Sequence, residues 1–535
     1  MADEFNLADI FERIADFVPN NPALMCGDQQ LSYAQLEERA NKLANYWLSQ
    51  GLGAGDHIGL LLYNSVEFVE AMIAALKIRA VPININYRYV AAELVYMFTN
   101  ADLSAVIYQR DLCDRVSEAL VDFDDLDVCM VLGSGDGGHA PGAIEYEEGL
   151  KQGSAKRDFP QRSGDDQVIL YTGGTTGMPR GVMWRHHDLL FGMLQGGVPG
   201  GDPAGSIDDI IEGIDPDMTM NIVPAAPLIH GSSMFATWIA MFTGGCVALI
   251  GGRSYRAEEL CRLVEKADVS VVALIGDAMA RPLVDFLEAN PDRYDMDSVS
   301  VVTSQGAILS GDIRARLTEL LPYCSVMNNF GTSESGHQGE AFYDNDSAEA
   351  KPKWMMNERT CVVTTDLKRV TPGSGEMGRL ATSGFIPQGY YKDPEKTAAT
   401  FVTFEGKRWV IAGDMCTVDT EDIIHFHGRG SQCINTGGEK VFPEEVEEAL
   451  KSHPAIFDAL VVGVQDDKWG QRVEAVVALR SGFDFDESSV DAACRARVAG
   501  YKAPRGYHVV DAVPRHPSGK PQYSQARAIA MKETR

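Results

Sequence analysis

Between residues 30 and 110, helix-like segments such as SYAQLEERANKLANYWLSQ alternate with short apolar runs such as HIGLLLY. No other feature restricts the fold as much, because short apolar strands separated by amphipathic helices require crossover connections and a largely parallel sheet. Ser32 followed by Gln35 has capping-box spacing and predicts a helix start. After about residue 428 the pattern becomes that of a compact α+β unit. VFPEEVEEALKSH puts proline at a helix start with acids in the first turn, and DALVVGV and VEAVVAL read as strands. A chain of 535 residues also exceeds what one core organises. The expected fold is α/β, with a large N-terminal domain of layered, mostly parallel sheets and helices and a small α+β C-terminal domain. The boundary is expected near HGRGSQCINTGG. GSGDGGHAPG (133–142) and QGSAKRDFPQRSGDD (152–166) read as surface connections. MFATWIAMFTGGCVALIGG is broken by Gly244-Gly245 and predicts a buried helix and strand rather than a membrane span.

The 76 acidic residues outnumber 47 basic ones, for a net charge of -29, which argues against a nucleic-acid or anionic-membrane binder. An anionic ligand must therefore be held by local groups. Ten cysteines stand singly, without CxxC pairs or metal-ligand spacing, and fit free thiols in a reducing compartment. The start, MADEFNLADI, is acidic where a secretory signal is basic and then apolar. The expectation is a cytoplasmic protein with no integral membrane segment.

YTGGTTGMPRG is the densest chemical signal. It fails the Walker pattern, because the second glycine falls at Met178 and no Lys-Ser or Lys-Thr follows; it fails the GxGxxG spacing as well. What remains is a loop after a strand, carrying Thr172, Thr175 and Thr176. Its backbone is made approachable by Gly173, Gly174 and Gly177, and Pro179-Arg180-Gly181 closes it. Hydroxyls and N–H groups so arranged converge on an anion. A plain glycine turn between strands is the alternative.

The loop resembles the phosphate-binding signature of the adenylate-forming enzymes, which include acyl-CoA synthetases, luciferases and nonribosomal adenylation domains. Further signatures follow in that family's order over nearly the whole chain: PLIHG (227–231), SQGAIL (304–309), NNFGTSESG (328–336), IAGD (411–414), GRGSQCINTGGEKVFPEEVE (428–447) and VPRHPSGKPQ (513–522). The combination most resembles actinobacterial acyl-CoA ligases acting on steroid side chains and related bulky acids. The resemblance implies a reaction that joins a carboxylate to the α-phosphate of ATP and passes the acyl group to a thiol. It makes ATP, Mg2+ and CoA the expected cofactors and co-substrates.

On the same basis, Lys520 is expected to reach the carboxylate and α-phosphate, and Thr172 and Glu334 to contact Mg2+. Gly173, Gly174, Thr175, Thr176, Gly177 and Arg180 would surround the phosphates. Gly306, Ala307, Asn329, Phe330, Gly331, Thr332 and Ser333 would line the nucleotide, with Phe330 stacked on adenine. Asp414 would bind the ribose hydroxyls, supported by Arg429. His230 would line the acyl entrance, with Met234, Ile275 and Met279 in the acyl pocket. Gly437, Gly438, Glu439 and Lys440 would pass the pantetheine arm. The resemblance also divides the chain into residues 1–428, a hinge at 429–432 and a mobile domain at 433–535. Some positions depart from the pattern: Gly174 and Arg180 stand where many relatives have Ser and Lys, Ser333 replaces Thr, Ser431 sits at the hinge, and Tyr523 occupies a frequent Arg position. Arg180 keeps the charge and changes its geometry.

Fifteen residues follow Lys520, so no fused carrier domain is expected and the acceptor reads as free CoA or, alternatively, a separate carrier protein. Arg472, Lys502 and Arg505 are candidates for the nucleotide end of CoA. The apolar segments LIHGSSMFATW and VALIGDAMARPLV imply an apolar acid, medium- or long-chain or steroid-derived, with an aromatic acid as an alternative. Asp277 is the one acid there that would suit an amino-acid ammonium. A luciferase-like oxygenase is a rival, whereas a non-catalytic nucleotide-binding module would be expected to lack Lys520 or Glu334. Dimers are common in the resembling group, so a homodimer stays open.

Overall fold

A computed structural model describes residues 5–123, 125–134, 137–172, 178–307, 309–342, 354–436, 439–466, 470–516 and 519–532. Among them the chain forms four sheets. One eight-stranded sheet runs through Gln167–Thr172, Val81–Asn84, His57–Leu61, Leu103–Gln109 and Val128–Leu132 in parallel, with Arg180–Arg185 and Gly389–Tyr390 added antiparallel at one edge. A second is parallel through Pro22–Cys26, Val247–Leu249, Ile222–Pro224, Val271–Leu274, Val301–Gln305 and Ser325–Thr332, with an antiparallel strand at each edge. The alternation of helices and apolar runs thus produces the expected crossover architecture.

Helices Leu7–Phe17, Tyr33–Ser49 and Val66–Lys77 help build the large core around these sheets. Every residue of Val66–Lys77 except Glu67 is buried, as an almost uniformly apolar helix demands. The Ser32–Gln35 capping box is formed in both directions. The long apolar stretch becomes the helix Gly231–Phe242 and the strand Val247–Leu249. Among the described residues no helix is long and apolar enough to cross a membrane.

Two features depart from the reading of the sequence. Residues 152–166 are not a plain surface connection, because Arg157 pairs with Asp16 and Glu37 at 2.8 Å each and Arg162 pairs with Asp9 and Glu12. Arginines spaced along an otherwise polar tract strap it across the first helices. The stretch 354–429 forms a seven-stranded antiparallel sheet of which the alternation pattern gives no sign. That sheet ends at Arg429, the single turn Gly430–Gln432 follows, and the five-stranded C-terminal sheet begins at Ile434. Pro443–Lys451 is the predicted helix, and Ile456–Asp466 and Gly470–Leu479 are the two predicted strands.

Candidate active site

The turn preceding Lys520 enters a cleft of about 270 Å3 between the two domains, where Arg515, His516 and Gly519 face Arg88, Tyr255 and Met279. Hydrogen bonds tie its described ends together. The His516 N–H donates to the Lys520 carbonyl and the Gly519 N–H to the His516 carbonyl, each at 2.8 Å. Arg515 holds Asp458 with two bonds of 2.6 and 2.7 Å and donates to the Gly519 carbonyl at 2.9 Å. A paired, planar guanidinium of this kind fixes geometry as well as charge. Lys520 is thereby seated against Gly306: a Cβ at Gly306 would lie 3.1 Å from Lys520 Cε. Gly306 has φ +71°, so a side chain there would be strained as well as crowded.

His230 caps the helix Gly231–Phe242. Its Nε2 is shut off from solvent and has no hydrogen-bond partner among the described residues. Burial, reinforced by Lys520, His516 and Arg88, pushes the ring down to about 3. The unfolded ring protonates near 6.5 and the native one only near 3, so across that window protons favour the unfolded chain and stability falls as pH drops. At neutral pH the ring is therefore uncharged. A His230→Ala variant is expected to keep the wild-type midpoint on the acid limb of its pH–rate profile between about pH 5 and 8; a displaced midpoint would show that His230 titrates there.

Glu334 is half-buried and accepts a hydrogen bond from Tyr390 at 3.1 Å. Its neighbours are tied down: Trp184 Nε1 donates to the Ser333 carbonyl at 2.9 Å, and the Thr332 and Ser335 hydroxyls meet at 2.8 Å. Asn329, Phe330, Gly331 and Thr332 lie on the strand Ser325–Thr332, where Phe330 packs on Trp354 and Phe426 with ring centroids 5.2 and 5.3 Å away. The Ala307 carbonyl accepts from Ser304 at 2.6 Å, which fixes the backbone beside Gly306. Asp414 is 3 % exposed and opens the strand Asp414–Val418, in register with Arg429. An aspartate after glycine is thus buried in a strand here rather than exposed in a turn.

Thr172 ends its strand opposite Arg180, and Arg180 is paired with Asp393 at 2.9 Å. Gly173, Gly174, Thr175, Thr176 and Gly177 lie outside the described residues, as do Gly437 and Gly438. The latter two join the antiparallel strands Ile434–Thr436 and Glu439–Val441, which carry Glu439 and Lys440. Met234, Ile275 and Met279 are all buried. Of the three cations considered for CoA, Arg472 is held by Glu474 at 2.6 Å and Lys502 by Glu445 at 2.7 Å, while Arg505 is exposed. Asp277 meets Lys451 at 3.5 Å and the Ser310 N–H at 2.8 Å. Among the described residues no group of three or more His, Cys, Asp or Glu gathers to hold a metal ion. The Glu334 carboxylate and Thr172 hydroxyl are hard oxygen donors, too few for a closed cage but suited to a hydrated divalent ion carried on phosphate.

Sequence reasoning misses Tyr390, Trp184 and the Arg515–Asp458 pair. Their partners lie 56, 149 and 57 residues away, so no local spacing marks them.

Comparison with known proteins places the chain. The AMP-binding enzyme model matches residues 11–391, and the AMP-binding enzyme C-terminal domain model matches residues 445–520. A medium/long-chain-fatty-acid–CoA/3-oxocholest-4-en-26-oate–CoA ligase of Mycobacterium tuberculosis H37Rv is 42% identical over 98% of this chain and 96% of its own. A 3-oxocholest-4-en-26-oate–CoA ligase of Rhodococcus rhodochrous is 43% identical over 98% and 95%. Among solved structures, an anthranilate CoA ligase in complex with anthranoyl-AMP superposes with a TM-score of 0.85 at 21% identity, covering 100% of this chain and 99% of its own. With a family match running from residue 11 to 391, the chain belongs to the AMP-binding enzymes.

Proposed function

We propose that this protein is an ATP-dependent acyl-CoA synthetase for an apolar carboxylic acid, a medium- or long-chain fatty acid or a steroid side-chain acid. A carboxylate oxygen bonds to the α-phosphorus of ATP, the bond to the β-phosphate bridge breaks, and pyrophosphate leaves. The CoA thiolate then bonds to the acyl carbon, and AMP departs with that oxygen. The observation that carries this reading is the seating of Lys520 against Gly306, near enough to His230 for its charge to help hold that ring neutral. Carboxylate and phosphate repel as they approach, and a preorganised cation offsets that repulsion where charge builds up. His230, having no charge, lines the acyl entrance without competing for the anion.

Thr172 and Glu334 are assigned to Mg2+, which when bound with the nucleotide neutralises charge on its phosphates. Phe330 and Asp414 are assigned to adenine and ribose. Tyr390 orients Glu334, so Tyr390→Phe should raise the Mg2+ concentration for half-maximal pyrophosphate release by about fivefold, the loss of roughly one hydrogen bond. An unchanged requirement would remove Glu334 from the metal site. For thioester formation the C-terminal domain turns about residues 429–432 and brings Gly437, Gly438, Glu439 and Lys440 into the place of Lys520. The single turn between the third and fourth sheets supports that hinge. Asp277 faces Lys451 and Ser310 rather than a ligand, which disfavours an amino-acid substrate. All ten cysteines are free thiols, in keeping with a cytoplasmic setting.

The test is pyrophosphate release with dodecanoate, benzoate and 3-oxocholest-4-en-26-oate, each with and without CoA. Dodecanoate or the steroid acid should support CoA-dependent turnover well above benzoate. Turnover with benzoate alone would overturn the substrate class.

A further inference from the structure

We propose that Asp277 is a positioning residue: through Lys451 it holds the C-terminal domain in the arrangement that seats Lys520 at Gly306, as a latch that opens before thioester formation. The proposal rests on the two-step reading above.

The helix Gly276–Ala289 lies directly against the Lys520 turn. A Cβ at Gly519 would sit 3.3 Å from the Ala278 Cβ and from the Ile275 carbonyl. Asp277 is therefore next to the point where the two domains touch. It is 6 % exposed; one oxygen accepts the Ser310 N–H at 2.8 Å, and the other has Lys451 Nζ at 3.5 Å and Arg281 at 3.7 Å. Lys451 belongs to the opposite domain, in the last turn of Pro443–Lys451. Burial pushes the Asp277 carboxyl up, but Lys451, the Ser310 N–H and Arg281 together outweigh it and hold the group below the usual range. The carboxylate that Lys451 meets is charged.

The neighbouring contacts repeat the pattern one helical turn on. Arg281 is 1 % exposed, and its guanidinium has no hydrogen bond among the described residues. Phe457 of the C-terminal domain lies 5.9 Å from it, and Asp312 stands 3.7 Å away on the N-terminal side. Arg480 of the C-terminal domain approaches Asp312 at 3.9 Å. Charges that meet at 3.5–3.9 Å with no hydrogen bond to one another recover only part of what burying Asp277 and Arg281 costs. Such a seam gives the interface its register and leaves it easy to part. Hydrogen-bonded pairs or an apolar seam would resist an opening that each turnover requires.

Lys451→Met and Lys451→Arg test the latch, because Asp277 keeps Ser310 and Arg281 in both. Each half-reaction is measured separately, with dodecanoate and with 3-oxocholest-4-en-26-oate: ATP–pyrophosphate exchange for the first, and conversion of the presynthesised acyl-AMP by CoA for the second. Lys451→Met should slow the exchange roughly 5-fold to 150-fold, the usual span of such couplings, while the second step is unchanged or faster. Lys451→Arg should restore the exchange. Equal losses in both steps, or no loss in either, overturn the latch while an active wild type leaves the reaction itself standing. A wild type inactive in exchange with both acids overturns the two-step reading and the latch with it.

Discussion

Lys520→Ala should lower acid-dependent ATP–pyrophosphate exchange roughly 100-fold to 1000-fold and leave conversion of a presynthesised acyl-AMP to the thioester near wild type. The asymmetry follows from where the lysine sits. Its turn is clamped by Arg515 and Asp458 and lies against the Ile275 carbonyl, so the ammonium is delivered beside Gly306. A charge contributing only while carboxylate and phosphate converge has no part in the attack of a thiolate on an acyl carbon. Parallel losses in both half-reactions would mean that Lys520 supports the fold of the C-terminal domain rather than the first step.

The second large effect is on stability. Lys77 is wholly buried, with Glu12 at 2.6 Å and Glu37 at 2.8 Å and the Phe11 and Phe159 rings 5.9 and 5.5 Å from its ammonium. Lys77→Ala removes the central cation of this cluster and should cost about 3 kcal/mol, the low end for breaking a buried pair because Arg162 and Arg157 still reach the two glutamates. Lys77→Met keeps the stem and should cost nearly as much: burial pulls the Lys77 ammonium below its usual range despite both glutamates, but its loss leaves two buried carboxylates short of a cation. Glu12 sits below its usual range: burial pushes it up, but Lys77 and Arg162 prevail. Its lowered native value makes its contribution present above the unfolded value of 4.5 and lost as pH falls through the native one. The deficit of the variants should therefore narrow below about pH 4.5, where protonation relieves the stranded Glu12 carboxylate. Denaturant midpoints at neutral and acid pH measure both statements. A Lys77→Met midpoint matching wild type at neutral pH would contradict them.

Much of the fold is legible in local patterns of residues. The alternation of 30–110 encodes parallel crossovers because both faces of each strand must be covered, and the Ser32–Gln35 box and Pro443 encode helix starts through purely local hydrogen bonding. Tyr390 and Asp458 cannot be found that way, since their roles exist only once distant strands bring Glu334 and Arg515 to them. Asp277 illustrates a different limit. Its apolar surroundings suggest an ammonium ligand, and the cation that meets it comes from the chain's own other domain, from Lys451. The strap at 152–166 is hidden for a similar reason: glycine and polar residues announce a loop, whereas its arginines matter only where carboxylates of the first helices face them.

Attack of a carboxylate oxygen on the α-phosphorus of ATP beside Lys520 leaves an isotopic trace. The acid, 3-oxocholest-4-en-26-oate or dodecanoate, is labelled with 18O in the carboxylate and turned over with ATP and CoA, and the nucleotide is then analysed by mass. AMP carrying one labelled oxygen, together with unlabelled pyrophosphate, is the expected result; ADP as the product, with the label in inorganic phosphate, would contradict attack at the α-phosphorus.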